Sequence, residues 1–244
     1  MKTSLKLIAT LFIALSQIGI STPADTGAPA EKSFDAPHQM KIAVKMIGPY
    51  AQETDLQIIC VFKHKPSGDT YISAMKDFDD KIGGLLSSLR NRGEFIGELG
   101  ETILFEPPTG SIVPSRVLVI GLGPESDLSL DTLRVVGRVA LREAVRLKAK
   151  HVSFAPTIRD QGNNSIDVGQ GDRAVVENVI LAYDTEKRLQ AQHLAGTFDI
   201  ADWTVEAGPT FYDGACKEIQ SGIENAEKEI SGRPSSPYSS LKNP

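Results

Sequence analysis

Two cysteines in 244 residues are too few for a disulfide framework or a zinc finger. The four histidines, His38, His64, His151 and His193, stand at no ligand spacing, so none reads as a metal ligand. Positive charge is in deficit: 26 Lys and Arg face 31 Asp and Glu, a net charge of −5, with no dense basic cluster. That removes the electrostatic case for nucleic acid or an anionic membrane surface as partner. Long apolar runs are missing as well. The run over residues 7–20 contains Thr10, Ser16 and Gln17, and its length of about 14 falls short of the roughly 20 residues that span a bilayer. No internal repeat is found.

What is present is an ordinary globular balance, 41% hydrophobic and 23% charged, enough for one large domain or two small ones. Lys2 and Lys6 precede the apolar run, and small residues follow it, with Ala24 and Ala30 as cleavage points. This is the layout of a secretory signal peptide. Residues 1–24 are therefore expected to be removed, leaving an exported protein, periplasmic or extracellular, without a stable membrane anchor. Residues 25–39, rich in Ala, Pro, Gly and charge, read as a flexible leader.

From Met40 onward strand and helix patterns alternate. Segments 41–47, 56–62, 101–106, 116–123 and 151–156 read as strands, the second buried on both faces, and 197–205 adds a further candidate. Ile82, Leu85, Leu86 and Leu89 fall at helical spacing, with Gly93 as a stop. Ser129 caps a helix running to about Lys148, with Asp131 in its first turn and Leu133, Val136, Ala140, Ala144 and Leu147 on one face. A polar loop over 160–171 leads to a helix from about Asp172 to Gln190 with Val176, Val179, Ile180 and Tyr183 inward, and 212–230 forms a last helix. Such alternation predicts an α/β fold with a mostly parallel sheet covered on both faces. Trp203 and Phe211 read as packing anchors, and residues 231–244 as a disordered tail.

Several stretches together resemble a known family. They are Gly83-Gly84 opening a short helix, GEFIGELGE at 93–101, Gly-Leu-Gly at 121–123, LSLDTLR at 128–134 and AVVENVILAYDTEKR at 174–188. In this order and spacing they are similar to the N-terminal domain of the leucyl aminopeptidase (cytosol aminopeptidase) family. The resemblance covers roughly residues 40–195 and implies a macro-like, three-layer α/β domain. Residues 196–230 would then be a linker-like strand and helix, since 214–239 resembles, in degenerate form, the helix that joins this domain to the family's catalytic domain.

The family's peptidase site is a two-metal centre built from Lys, Asp and Glu side chains of Asp-Ser-Gly-Gly and Asn-Thr-Asp-Ala-Glu-Gly-Arg motifs. Neither motif occurs in this sequence, so no catalytic residue, metal ligand or cofactor carries over. DTEKR at 184–188 echoes the second motif only superficially and reads as a solvated helix end. Two glycine loops remain as ligand candidates. Gly121 and Gly123 follow a strand and precede a helix, where amides can cradle a phosphate, although Pro124 removes a donor and a tight turn is the favoured explanation. Gly83 and Gly84 correspond to the loop that contacts a diphosphate in macro domains, but the DFDD run at 77–80 would repel one. Asp79 and Asp80 read instead as helix caps. Cys60 and Cys216 could pair only if the fold brings them together.

The expectation is thus an exported, stand-alone, non-catalytic module that binds a partner protein or small ligand, with a homo-oligomer among the outcomes. The alternatives are a nucleotide or ADP-ribose binder, or the regulatory half of a split metallo-aminopeptidase. The length itself argues against a complete enzyme, because 244 residues do not hold the family's second domain.

Overall fold

A computed structural model describes residues 30–234. The signal expected over 1–24 lies outside the described residues, as does most of the expected tail. The central sheet has seven strands: β1 (Glu31–Asp35), β2 (Lys41–Lys45), β3 (Leu56–Val61), β4 (Thr102–Phe105), β5 (Val117–Gly121), β6 (His151–Ala155) and β7 (Asp202–Glu206), in the order β1-β2-β7-β6-β3-β5-β4. The five inner strands are parallel, and β1 and β4 run antiparallel at the two edges. All six residues of β3 and all five of β5 are buried. Continuous apolar runs of this kind suit strands covered on both faces.

One face carries α3 (Leu130–Arg146), α4 (Val168–Ala191) and α5 (Tyr212–Gly232); the other carries α1 (Ser73–Lys81) and α2 (Leu85–Asn91). This is the expected macro-like three-layer arrangement. The Ser129 hydroxyl accepts from the Thr132 amide and the Thr132 hydroxyl answers the Ser129 amide, a reciprocal cap that starts α3. Gly137 lies where α3 crosses α4, and a Cβ there would run into the Val175 carbonyl.

Several expectations need correction. The leader is partly ordered: β1 pairs with β2 from Glu31↔Lys45 to Asp35↔Lys41. Backbone pairing holds it, since only Phe34 of its five side chains is even half-buried. Residues 196–230 are not a linker appended to the domain. β7 inserts between β2 and β6, Trp203 is fully buried, and Ala215, Ile219 and Ala226 of α5 complete the main core. α4 starts four residues earlier than its apolar pattern implies. Asp167 caps it through the Gln170 amide at 3.0 Å, and Gly169 and Gly171 are contact points against Glu218 and Leu133, not loop residues. The helix read around Gly83 is two helices. Gly83 and Gly84 adopt φ of +71° and +72°, a left-handed break that glycine makes at little cost.

DTEKR is not a solvated helix end. Asp184 is buried within α4, with His38 Nε2 at 2.9 Å and the Arg233 guanidinium donating at 2.7 Å. It ties the turn before β2 to the end of α5. Cys60 and Cys216 are both buried free thiols, on a strand and a helix of the same core.

Candidate ligand site

The carboxyl ends of β6 and β7 open onto a cavity of about 390 Å³. In open α/β sheets this edge is where loops diverge and leave a crevice. Its floor is the turn after β6, its walls are the segment after β7 and the first turns of α4, and Ser73 and Ala74 of α1 close one side. The size suits a small-molecule site.

Strained backbone marks the rim. Thr157 and Ser73, both lining the cavity, hold φ of +52° and +48° without being glycine. The Thr157 conformation is held by its own side chain, whose hydroxyl donates to the Cys60 carbonyl at 2.6 Å and accepts from the Cys60 amide at 3.2 Å. Gln161 adds bonds to Phe62, Cys60 and Thr157 backbone groups. The turn after β6 is therefore stitched to β3, which fixes the cavity floor.

Register explains how a carboxyl comes to be buried here. Gln57, Ser153 and Thr204 stand side by side across β3, β6 and β7, and Glu206 follows two residues along the same face. These residues form a polar strip through an otherwise apolar layer, ending at the cavity. Glu206 Oε1 accepts from the Ser153 hydroxyl at 2.6 Å, whereas Oε2 has no partner in the protein. Burial raises the Glu206 carboxyl to about 7, against the pull of the polar Ser153 and Gln57 side chains beside it.

Asp172, on the second turn of α4, is only 2% exposed and neither of its oxygens has a protein partner. Burial, aided by the Asp167 charge, pushes its carboxyl well above the usual range. The other two acids lining the cavity are engaged: Asp167 caps α4, and Asp160 accepts from the Ala74 amide while burial raises it. Arg159, the lone cation of the lining, bonds Asn164 and the Ile166 carbonyl and lies over the Phe211 ring at 5.6 Å. Phe211 is thus a half-exposed wall of the cavity, while Trp203 is the packing anchor expected of it.

None of the four glycines singled out in the sequence lines this cavity. The amides of Gly121, Leu122 and Gly123 donate to Glu101, Val61 and Gly97 carbonyls at 2.8, 2.8 and 3.0 Å, leaving no free donor for a phosphate. Gly123 takes the left-handed φ of a tight turn, +75°, whereas Gly121 is required because a Cβ would strike the Glu98 carbonyl. The Gly83 and Gly84 amides likewise donate to Asp80 and Asp79 carbonyls. Asp79 caps α2 from the end of α1, accepting from the Leu86 amide at 3.0 Å, but Asp80 pairs with Lys76 on the surface and caps nothing. Three of the histidines pair with aspartates, His38 with Asp184, His64 with Asp69 and His151 with Asp202. Among the described residues no group of three or more His, Cys, Asp or Glu side chains is arranged to hold a metal ion.

Sequence reasoning missed Asp160, Asp172 and Glu206. The usable signal was positional: Glu206 ends β7, Asp160 follows β6, and Asp172 lies near the start of the helix that comes after β6.

A family model described as the N-terminal domain of the cytosol aminopeptidase family matches residues 58–192. A probable cytosol aminopeptidase of Thermosynechococcus vestitus is 29% identical over 140 residues, 56% of this chain and 26% of that protein. One from Alkaliphilus metalliredigens is 27% identical over 181 residues, 71% of this chain and 33% of that protein. The chain thus spans about a quarter to a third of these relatives. Among solved structures, an Oceanobacillus iheyensis macrodomain aligns with a TM-score of 0.58 at 14% identity, over 82% of this chain and 97% of that one. A tomato leucine aminopeptidase aligns with a TM-score of 0.57 at 20% identity, over 85% of this chain and 38% of that one.

Proposed function

The chain belongs to the cytosol aminopeptidase family through that family's N-terminal domain, and from this premise we propose that it is a non-catalytic module binding a small ligand at the carboxyl ends of β6 and β7. The observation that carries the reading is the pair Asp172 and Glu206. Both are buried acids on one cavity, with oxygens that no protein group satisfies. Buried polar atoms without partners cost about 1–3 kcal/mol each, and a ligand that supplies the partners recovers that cost. The layout of residues 1–24 supports export, so the module is expected to act outside the cytoplasm.

A thermal-shift screen of small molecules on the purified chain tests the binding. A ligand at about a hundred times its Kd stabilises by about 2.7 kcal/mol, which for a domain of this size raises Tm by roughly 5–10 °C. Failure of every compound class to shift Tm would remove the reading. The non-catalytic half is checked with a leucyl chromogenic substrate and added manganese or zinc. No turnover is expected, and chelator-sensitive hydrolysis would refute it.

A second reading, nucleotide or ADP-ribose binding, is favoured by the fold likeness to a macrodomain solved with ADP. Its difficulty is the acidic lining, which disfavours a diphosphate. Calorimetry with ADP-ribose decides between the two.

A further inference from the structure

Four acids and one arginine line the cavity, and their hydrogen bonds divide them sharply. Asp167 accepts from the Gln170 amide, Asp160 lies beside the Ala74 amide, and Arg159 is occupied with Asn164, the Ile166 carbonyl and the Phe211 ring. What remains, once the two acids are ionised, is acceptor capacity: both oxygens of Asp172 and Oε2 of Glu206. A ligand that satisfies this cavity has to bring donors. The lining also includes apolar side chains, Ile47, Leu133, Ile166, Val168 and Ala207 among them. The amino end of α4 would by itself favour an anion, but the Asp167 carboxylate already covers it.

We infer that the cavity takes an organic cation with N–H donors on a compact apolar body, a primary ammonium in its simplest form, held by Asp172 and Glu206. The assignment rests on the cavity being a ligand site, and it names the chemistry of the occupant. Two features select an ammonium over a neutral donor. It presents three N–H groups to a set of free carboxyl oxygens, and its charge-assisted bonds are roughly twice as strong as neutral ones. It also supplies the counter-charge that a buried carboxylate lacks. The same logic excludes a quaternary ammonium, which carries charge but no N–H. The four acids and the engagement of Arg159 disfavour a diphosphate. Burial opposes ionisation of both carboxyls, so titration is best carried out at pH 8, above the value of about 7 for Glu206.

Calorimetric titration of the full chain at pH 8 with 2-phenylethylamine, 2-phenylethanol and 3-phenylpropionate tests this. These probes share a similar apolar body and differ in the head group. The amine is expected to bind at least about tenfold tighter than the alcohol, a difference of about 1.4 kcal/mol, and the acid is expected not to bind. D172N and E206Q are each expected to weaken the amine by about tenfold or more while leaving the alcohol within about twofold, with melting curves showing that both variants fold. Equal affinity for amine and alcohol, or amine binding untouched by both variants, would overturn the cation while leaving the ligand site standing. Tighter binding of ADP-ribose than of the amine would also overturn it. Binding of no probe, together with an empty thermal-shift screen, would remove the site and the cation with it.

Discussion

Glu206→Gln exchanges a buried carboxyl for an amide of the same shape, and the structure predicts an effect on stability that grows with pH. The carboxyl is raised from its ordinary value of 4.5 to about 7 in the folded chain, chiefly by burial. Below 4.5 the folded and unfolded states are both protonated, and the group costs nothing. Between 4.5 and about 7 the unfolded state gives up its proton while the folded state keeps it, so stability falls as pH rises. Above 7 the folded carboxylate is charged and the full cost is present. Raising the carboxyl from 4.5 to about 7 costs about 3 kcal/mol at pH 8. Glutamine carries no such cost. Its carbonyl oxygen can accept the Ser153 hydroxyl that Glu206 accepts now, and its amide can donate to the Gln57 carbonyl oxygen, which has no partner. The charged groups near this position are Lys45, which lies opposite in register but pairs with Glu31 at 3.3 Å, and Arg159, Asp160, Asp167 and Asp172 on the cavity. E206Q should therefore match the native chain near pH 4.5 and exceed it by about 3 kcal/mol at pH 8, roughly 6–12 °C in Tm. Urea melts at half-unit pH intervals measure this. A native-minus-variant difference that stays flat from pH 4.5 to 8, or that favours glutamate at pH 8, would show that Glu206 ionises freely and would refute the argument.

Asp172→Asn should also stabilise the ligand-free chain at neutral pH, because it removes a carboxyl that burial already opposes ionising; a lower Tm at pH 8 would mean the carboxylate has a partner. Its effect too should shrink as pH falls into the ordinary carboxylate range, which the same melts would record. Gly137→Ala drives a Cβ into the Val175 carbonyl at the crossing of α3 and α4, so a loss of about 1–3 kcal/mol is expected in chemical denaturation, against the gain alanine usually brings to a helix. Asp184→Asn leaves Arg233 and His38 without their carboxylate. Since both partners are partly solvated, the expected loss is about 1–2 kcal/mol, accompanied by faster amide exchange at the end of α5.

Most of the fold could be read from the chain because its signals are local and repeated. The all-apolar β3 and β5, the Ser129 cap and the inward stripe of α3 each follow from a few neighbouring residues. The misreadings share a different cause. β1 is polar and is held by backbone pairing, α4 begins with two glycines that serve close helix packing, and β7 is placed centrally by its neighbours in space. In each of these the deciding partner lies far away in sequence: Glu31 against Lys45, Gly169 against Glu218, Trp203 between β2 and β6.

The site was harder for a further reason. Glycine loops are conspicuous in sequence, yet the amides of Gly83-Gly84 and Gly121–Gly123 are consumed by ordinary turns. Asp172 and Glu206 are inconspicuous. One follows a glycine-rich helix start and the other ends a short strand, and in sequence both look like solvent-facing acids. What makes them chemically unusual is that the fold buries them without a partner, and pairing is a property of three-dimensional neighbours alone. A carboxyl on a surface helix gains little from a nearby cation, whereas the same carboxyl at 2% exposure favours any donor that reaches it. The chemistry of this cavity therefore lies in the hydrogen bonds its acids do not make within the protein, which is why the head group of the ligand, more than its size, is the variable to test.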